Sequence, residues 1–145
     1  YFISEFFLVE IIAEANNLAG ESFKPETPIT SLSGGQSRAL MIADTAILSS
    51  SPIILIDEIE NAGIDRKRAL ELLVKEDKIV LIATHDPVLA LMGERRIVIS
   101  NGGIATIIET TEEERAVLGE LEKMDKFIQN MRTNLRYGKK LNIGG

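Results

Sequence analysis

Residues 53–58 read IILIDE, and this stretch decides the fold class. Four apolar residues follow Pro52 without interruption, a pattern typical of a strand buried on both faces of a parallel sheet. The same pattern returns in residues 79–84, IVLIAT, after a helical segment that runs from Asp65 to Lys75. Because strands alternate with helices along the chain, the sequence predicts an α/β fold with a mostly parallel sheet.

Three amphipathic segments flank these strands. The first is Phe2–Leu18, and the second is Gln36–Leu48, for which Ser33 can serve as the N-cap. The third follows Thr111 and repeats apolar residues at alternating spacings of four and three over Val117–Leu135. This stripe predicts a long amphipathic helix, which either packs on its own domain or forms a seam with a partner.

A hairpin completes the predicted architecture. Residues 95–100 and 104–109, RRIVIS and IATIIE, flank an Asn-Gly pair at 101–102, a strong signal for two antiparallel strands. We expect this terminal β-hairpin to close the sheet. The predicted segments are a helical part (1–50) and a sheet region (51–110), together one domain over 1–110, and a C-terminal amphipathic helix with its tail (111–145).

The composition restricts the classes of protein to which the chain can belong. Its 145 residues suffice for one domain, and 45% hydrophobic with 26% charged residues is typical of a globular protein. The net charge of −6 disfavours nucleic acid as a partner, because a phosphate backbone attracts cations. The absence of cysteine excludes disulfides and thiolate metal sites, and together with the lack of a signal-peptide pattern it favours a cytoplasmic location.

Residues 31–39 read SLSGGQSRA and contain the first candidate site. Two glycines let a ligand approach the backbone closely, and the amides at the start of a helix carry partial positive charge. An anion such as a phosphate can therefore bind at this turn, to Ser33, Gly34, Gly35 and Gln36. The alternative is that Ser33 only caps the helix.

Two carboxylates and one histidine follow the predicted strands, at the edge where open α/β sheets bind ligands. Asp57 suits a Mg²⁺ ion held by one carboxylate and waters, and Glu58 suits a general base or the orientation of an attacking water. His85, the single histidine, follows the neighbouring strand, within reach of the same phosphate. The alternatives are a pair of solvated loop acids and a structural histidine.

These motifs together resemble those of the ATP-binding cassette (ABC) ATPases. Residues 32–36, LSGGQ, resemble the signature motif, IILIDE resembles the Walker B strand with its catalytic glutamate, and His85 matches the switch histidine. The spacing is also similar, because 24 positions separate Ser33 from Asp57 and 28 separate Asp57 from His85. The resemblance covers about Leu32 to Ile108.

The resemblance implies the C-terminal half of an ABC nucleotide-binding domain, with a P-loop NTPase fold and with ATP and Mg²⁺ as ligands. The first helix would then belong to the helical subdomain of the family. The segment DEIENAGID at 57–65 departs from the transport cassettes, since it lacks their proline and has one more residue before Asp65. The implied roles are catalysis for Glu58 and His85, metal binding for Asp57, and nucleotide binding for Ser33, Gly34, Gly35, Gln36 and the D-loop Asp65.

A Walker A loop is not found within the 145 residues, and no glutamine precedes Gln36 to form a Q-loop. We therefore expect a P-loop-bearing segment, in the same precursor or a separate chain, to complete the site. The resemblance implies that completed domains pair head to tail, so that each signature motif covers the nucleotide of the other domain. The chain alone is expected to be inactive.

Two functions agree with this sequence. The first is ATP hydrolysis as half of an ABC-type ATPase, either in transport, with membrane or other effector subunits, or in chromosome maintenance and repair. In a transport setting the chain would lie at the cytoplasmic side of the membrane. The second is a regulatory or scaffold module that docks on an ABC-type ATPase without hydrolysing ATP itself.

Overall fold

The computed structural model of the protein describes residues 5–57, 59, 63–74 and 78–141. The chain divides into two compact units, residues 1–84 (unit 1) and 85–145 (unit 2). This division follows contacts within the chain, whereas the boundary after residue 110 comes from sequence motifs and stays a prediction. In the described part of the chain, no helix combines the length and the apolar character that crossing a membrane requires.

Unit 1 contains the alternating helices and strands that the sequence predicts. Helix α2 begins at Gly34, strand β1 ends at Asp57, and helix α3 begins after Asp65. The elements in order are α1 (Glu5–Leu18), a short 3-10 turn (Ile29–Ser31), α2 (Gly34–Leu48), β1 (Ile53–Asp57), α3 (Arg66–Val74) and β2 (Ile79–Ala83).

The core of unit 1 lies between its three helices. Helix α1 packs on α2, and both pack on α3. Alanines at the contacts are fully buried, which lets the helix axes approach closely, while the larger aliphatic side chains fill the remaining space. The buried residues of the helices are Ile11, Ile12, Ala15 and Leu18 in α1, Ala39, Ile42, Ala43 and Ala46 in α2, and Ala69, Leu70, Leu72 and Leu73 in α3.

Strands β1 and β2 pair in parallel, with Ile53 opposite Ile79 and Asp57 opposite Ala83. The prediction that β1 is buried on both faces is wrong, because Ile54 is 6% exposed but its neighbour Leu55 is 76% exposed. In the part of unit 1 that the structure describes, the helices cover one face of this sheet and leave the other open. The open sheet face consists of Ile53, Leu55, Ile79 and Leu81, which are 51%, 76%, 60% and 45% exposed.

Unit 2 contains the predicted hairpin and the predicted long helix. Its elements are α4 (Pro87–Met92), β3 (Arg95–Ser100), β4 (Gly103–Glu109) and α5 (Glu112–Arg136). The hairpin is confirmed: β3 and β4 are antiparallel, and the turn places Asn101 and Gly102 at φ 51° and 79°, which favours this residue pair. Between Val98 and Ile99 the register shifts.

The hairpin strands form a sheet of their own in unit 2, and the expectation that they close the parallel sheet stays a prediction. Among the residues that the structure describes, the four strands form two separate two-stranded sheets, β1–β2 and β3–β4. An Asn-Gly turn specifies only that its own two strands pair. It contains no information about the sheet to which the pair attaches.

Helix α5 begins at a complete capping box. The Thr111 hydroxyl accepts a hydrogen bond from the Glu114 amide at 3.3 Å, and the Glu114 carboxylate accepts one from the Thr111 amide at 3.1 Å. The same carboxylate accepts a hydrogen bond from the Arg96 guanidinium of β3 at 2.5 Å. This charge-assisted hydrogen bond to Arg96, with the amide of Thr111, holds the pKa of Glu114 below its ordinary value of 4.5.

We expect the Arg96–Glu114 pair to stabilise the chain at neutral pH and to lose this effect in acid. The pKa of Glu114 is lower in the folded state than its ordinary value of 4.5. The ion pair therefore adds to the free energy of unfolding above pH 4.5, and this contribution disappears as the pH falls through the lowered pKa. Glu114→Gln keeps the capping box but removes the charge. The variant should therefore have a lower Tm than the wild type at pH 7, measured by circular dichroism, and the difference should shrink below pH 4.5.

The matched control is Glu113→Gln, which removes a charge from the same helical turn and leaves Arg96 and its partner in place. A difference in Tm that is equal for the two variants, or that does not change with pH, would contradict the role given to the ion pair.

Candidate functional site

Most of the residues predicted to form the site lie in unit 1. Ser33 to Gln36 form the start of α2, Asp57 is the last residue of β1, and Asp65 precedes α3. His85 is the first residue of unit 2, two positions after the end of β2, and its side chain is exposed. Glu58 lies outside the described residues, so its assignment as the catalytic base stays a prediction.

Ser33 caps helix α2, as the sequence predicts, and its role toward a phosphate stays a prediction. Its hydroxyl accepts a hydrogen bond from the Gln36 amide at 3.3 Å, and the Gln36 side-chain oxygen accepts one from the Ser33 amide at 2.8 Å. This reciprocal pair is a capping box, and it satisfies two of the amides that every helix start exposes. The position of the first turn of α2 is therefore fixed by Ser33 and Gln36.

Gln36 has a second structural contact that the sequence did not predict. Its side-chain nitrogen donates hydrogen bonds to the carbonyl of Glu21 at 3.2 Å and to that of Ser22 at 3.5 Å. These bonds attach the linker after α1 to the start of α2. The pattern Ser-x-x-Gln could have predicted the capping box, but a contact 15 residues away has no local sequence signal.

The capping box leaves the amides of Gly34 and Gly35 for other acceptors. Gly34 is exposed and does not adopt the positive φ that would require glycine. A Cβ atom built on Gly34 would have no described atom of the chain within 4 Å. Neither the backbone nor the packing in the described part of the chain therefore explains a glycine here, although glycine costs about 1 kcal/mol in a helix relative to alanine.

Asp57 lines a cavity of about 430 Å³ beside β1. Apolar side chains from α2, β1 and α3 form most of the lining, among them Ile42, Ile54 and Leu73. Arg38, two residues after Gln36, lines the same cavity and was not among the predicted site residues. Its position after the two glycines could have indicated a cation near an anion site.

Among the described residues, Asp57 is the only one at the end of β1 whose carboxylate could bind a metal ion. No group of three or more histidine, cysteine or acidic side chains that could hold a metal occurs in the described part of the chain. A carboxylate with free access to solvent fits Mg²⁺, which usually keeps several waters and takes further oxygens from the phosphates of its ligand.

Asp65 is also a capping residue. Its carboxylate accepts a hydrogen bond from the Arg68 amide at 3.1 Å, and its carbonyl accepts one from the Ala69 amide at 3.0 Å, which fixes the start of α3. Its own amide donates to the carbonyl of Leu18, the last residue of α1, at 3.0 Å. The predicted D-loop aspartate therefore joins the end of one helix to the start of another.

Comparisons with known proteins agree with the motifs. No model of a known protein family matches the chain. It is 55% identical, over 132 residues and 91% of its length, to an uncharacterized ABC transporter ATP-binding protein of Methanocaldococcus jannaschii. It is 36% identical over 109 residues, 65% of its length, to the galactose/methyl galactoside import ATP-binding protein of Clostridium perfringens.

The chain spans 51% of the archaeal relative and 21% of the clostridial one. Its homologues are thus ABC transporter ATP-binding proteins, and this supports the presence of an ABC ATPase domain. The mixed helices and small sheets of the structure are compatible with a fragment of such a domain.

The capping role of Ser33 can be measured separately from any ligand. Ser33→Ala removes the acceptor for the Gln36 amide and should reduce the free energy of unfolding by about 1 kcal/mol in urea titrations. Ser33→Asp keeps an acceptor at the N-cap, so its stability should remain within about 0.5 kcal/mol of the wild type. If the alanine variant is as stable as the aspartate variant, Ser33 does not stabilise α2.

Proposed function

We propose that this chain is the signature and Walker B half of an ABC-type ATPase, which hydrolyses ATP when a Walker A segment and a head-to-tail partner complete the site. The observation that carries the proposal is Gly34, an exposed helical glycine at the start of α2, at the position of the signature motif. The homology to ABC transporter ATP-binding proteins supports it.

The start of α2 has the properties of a phosphate site. Two amides, those of Gly34 and Gly35, point along the helix axis at its positive end, and an anion there is stabilised by both the hydrogen bonds and the dipole. Without a Cβ on Gly34, a phosphoryl group can approach the backbone more closely than beside any other residue. In our proposal that group is the γ-phosphate of ATP bound in the Walker A loop of another completed domain.

The open sheet face supports the need for a completing segment. This face is a contiguous apolar surface formed by Ile53, Leu55, Ile79 and Leu81. Parallel sheets are normally covered on both faces. A sheet of two strands is also smaller than the three or more that independent stability usually requires. A P-loop-bearing segment that adds strands and a covering helix would satisfy both requirements.

In the completed site each residue has one proposed role. Glu58 acts as the general base toward the attacking water, and His85 contacts the phosphoryl group that is transferred. Asp57 would hold Mg²⁺, which neutralises charge on the phosphates when it is bound. Gln36 fixes the start of α2, as its hydrogen bonds indicate, and Asp65 faces the domain interface as the D-loop residue.

The names of the relatives favour a transport setting for this ATPase. We propose that the completed domains then act on membrane subunits from the cytoplasmic side.

The role of Glu58 can be tested in the chain assembled with a Walker A segment, either fused or added. Glu58→Gln should slow ATP hydrolysis on the order of 10²- to 10⁴-fold, because the general base is lost while its shape is kept. Binding of labelled ATP should not change. Asp57→Asn should also slow turnover strongly, and the remaining turnover should require a higher concentration of Mg²⁺, because the metal loses its charged ligand.

Two outcomes would contradict this assignment. Unchanged turnover in Glu58→Gln would remove that residue from the mechanism. If hydrolysis occurs but depends only on carboxylates of the added partner, the chain is a scaffold and not half of an enzyme.

The signature glycine offers a second test in the same assembly. Gly34→Ala should leave the stability of the chain unchanged or slightly raised, because alanine is the better helix former and no described atom obstructs its Cβ. It should nevertheless reduce ATP turnover by at least about tenfold, since the Cβ lies where the phosphoryl group approaches.

The matched control is Gly119→Ala in α5, another helical glycine with no described atom within 4 Å of its Cβ. This variant should change neither turnover nor ATP binding. Equal turnover in the two variants would show that the start of α2 does not contact the reacting phosphate.

A further inference from the structure

Helix α5 presents a row of apolar side chains that unit 2 does not cover. We define the α5 stripe as Val117, Leu121, Met124, Ile128, Met131 and Leu135. Val117, Met124, Ile128 and Leu135 are 53%, 62%, 47% and 60% exposed, and Leu121 and Met131 are half-buried. No residue within α5 is fully buried, although the helix extends over 25 residues.

The spacing of the stripe is the same in both directions along the helix. Successive members are four, three, four, three and four residues apart, so the row is symmetric about residue 126. In an antiparallel pair of α5 helices centred there, Val117 of one copy lies opposite Leu135 of the other, and Met124 lies opposite Ile128. Each apolar residue of the α5 stripe thus meets an apolar residue of the second copy.

The charges of the helix favour the same arrangement. Within α5, residues 112–125 contain six acidic and two basic residues, whereas residues 126–136 contain three basic residues and no acidic one. An antiparallel pair places the acidic half of each helix beside the basic half of the other, and it also opposes the two helix dipoles. A parallel pair would place like charges side by side.

We propose that the α5 stripe is a self-association surface, through which two copies of this chain pair by an antiparallel contact of their α5 helices. The contact is separate from the signature motif, so it does not depend on nucleotide or on the proposed ATPase activity.

The absence of cysteine in the chain allows a direct test of the pairing and its direction. Val117→Cys and Leu135→Cys are prepared separately in the 145-residue chain and oxidised alone or as a mixture. The antiparallel contact predicts a disulfide-linked dimer only in the mixture. Neither variant should crosslink to itself. In the antiparallel pair the two copies of residue 117 are separated by 18 residues of helix, or about 27 Å at 1.5 Å per residue, which is too far for a disulfide.

The strength of association is measured by sedimentation equilibrium of the cysteine-free chain. Ile128→Glu places a charge in the seam of both copies and should raise the dimer dissociation constant at least about tenfold. Because Ile128 is 47% exposed in the single copy, the variant should keep its helical circular dichroism. Leu55→Glu, on the open sheet face, is the matched control and should leave the dimer unchanged.

Three results would overturn the proposal. The wild-type chain could remain monomeric at about 100 μM, a concentration well above the dissociation constants of specific dimers. Val117→Cys could crosslink to itself, which requires parallel helices. Association could be lost in Leu55→Glu but kept in Ile128→Glu, which would assign it to the sheet face of unit 1.

Discussion

The hydrogen bonds between Ser33 and Gln36 are the constraint on which the rest of the account depends. They determine where α2 begins, and they satisfy two amides of its first turn without using those of Gly34 and Gly35. The side chain of Gln36 also holds the carbonyl groups of the preceding linker, so the turn is fixed from both sides. A helix start held by these hydrogen bonds, with two amides that the capping box does not use, is preorganised for an anion, because no reorganisation is needed when the ligand arrives.

The two units differ in what they leave exposed. Unit 1 builds a helical core and covers one face of its parallel sheet, so that the apolar side chains of the open sheet face remain in contact with solvent. Unit 2 attaches its long helix through Arg96 and Glu114 and leaves the α5 stripe exposed. Large apolar surfaces on a protein usually mark contacts with other chains or segments. In our proposals, a completing P-loop segment covers the first surface and another copy of the chain covers the second.

Local features of this fold could be predicted from the sequence. The N-cap at Ser33, the hairpin at Asn101 and the long helix after Thr111 all depend on residues within a few positions of each other. The burial of β1 was predicted wrongly, because an uninterrupted apolar run looks the same whether the covering layer comes from this chain or from elsewhere. The roles of Glu58 and His85 stay predictions from family motifs.

Longer-range contacts had no such signal. The bonds from Gln36 to Glu21 and from Arg96 to Glu114 join residues 15 and 18 positions apart, and nothing in the local pattern selects these partners. The capping role of Asp65 was readable in principle, since an acidic residue before a helix commonly serves as an N-cap. The resemblance to the ABC family implied only a D-loop role for this residue.

The most direct measurement is the structure of the chain assembled with its Walker A segment and trapped with a non-hydrolysable ATP analogue. We predict that the Gly34 and Gly35 amides of one domain lie about 2.7–3.2 Å from oxygens of the terminal phosphoryl group bound to the other domain. Amides that instead face solvent, with the nucleotide bound elsewhere, would show that the start of α2 does not bind this phosphate.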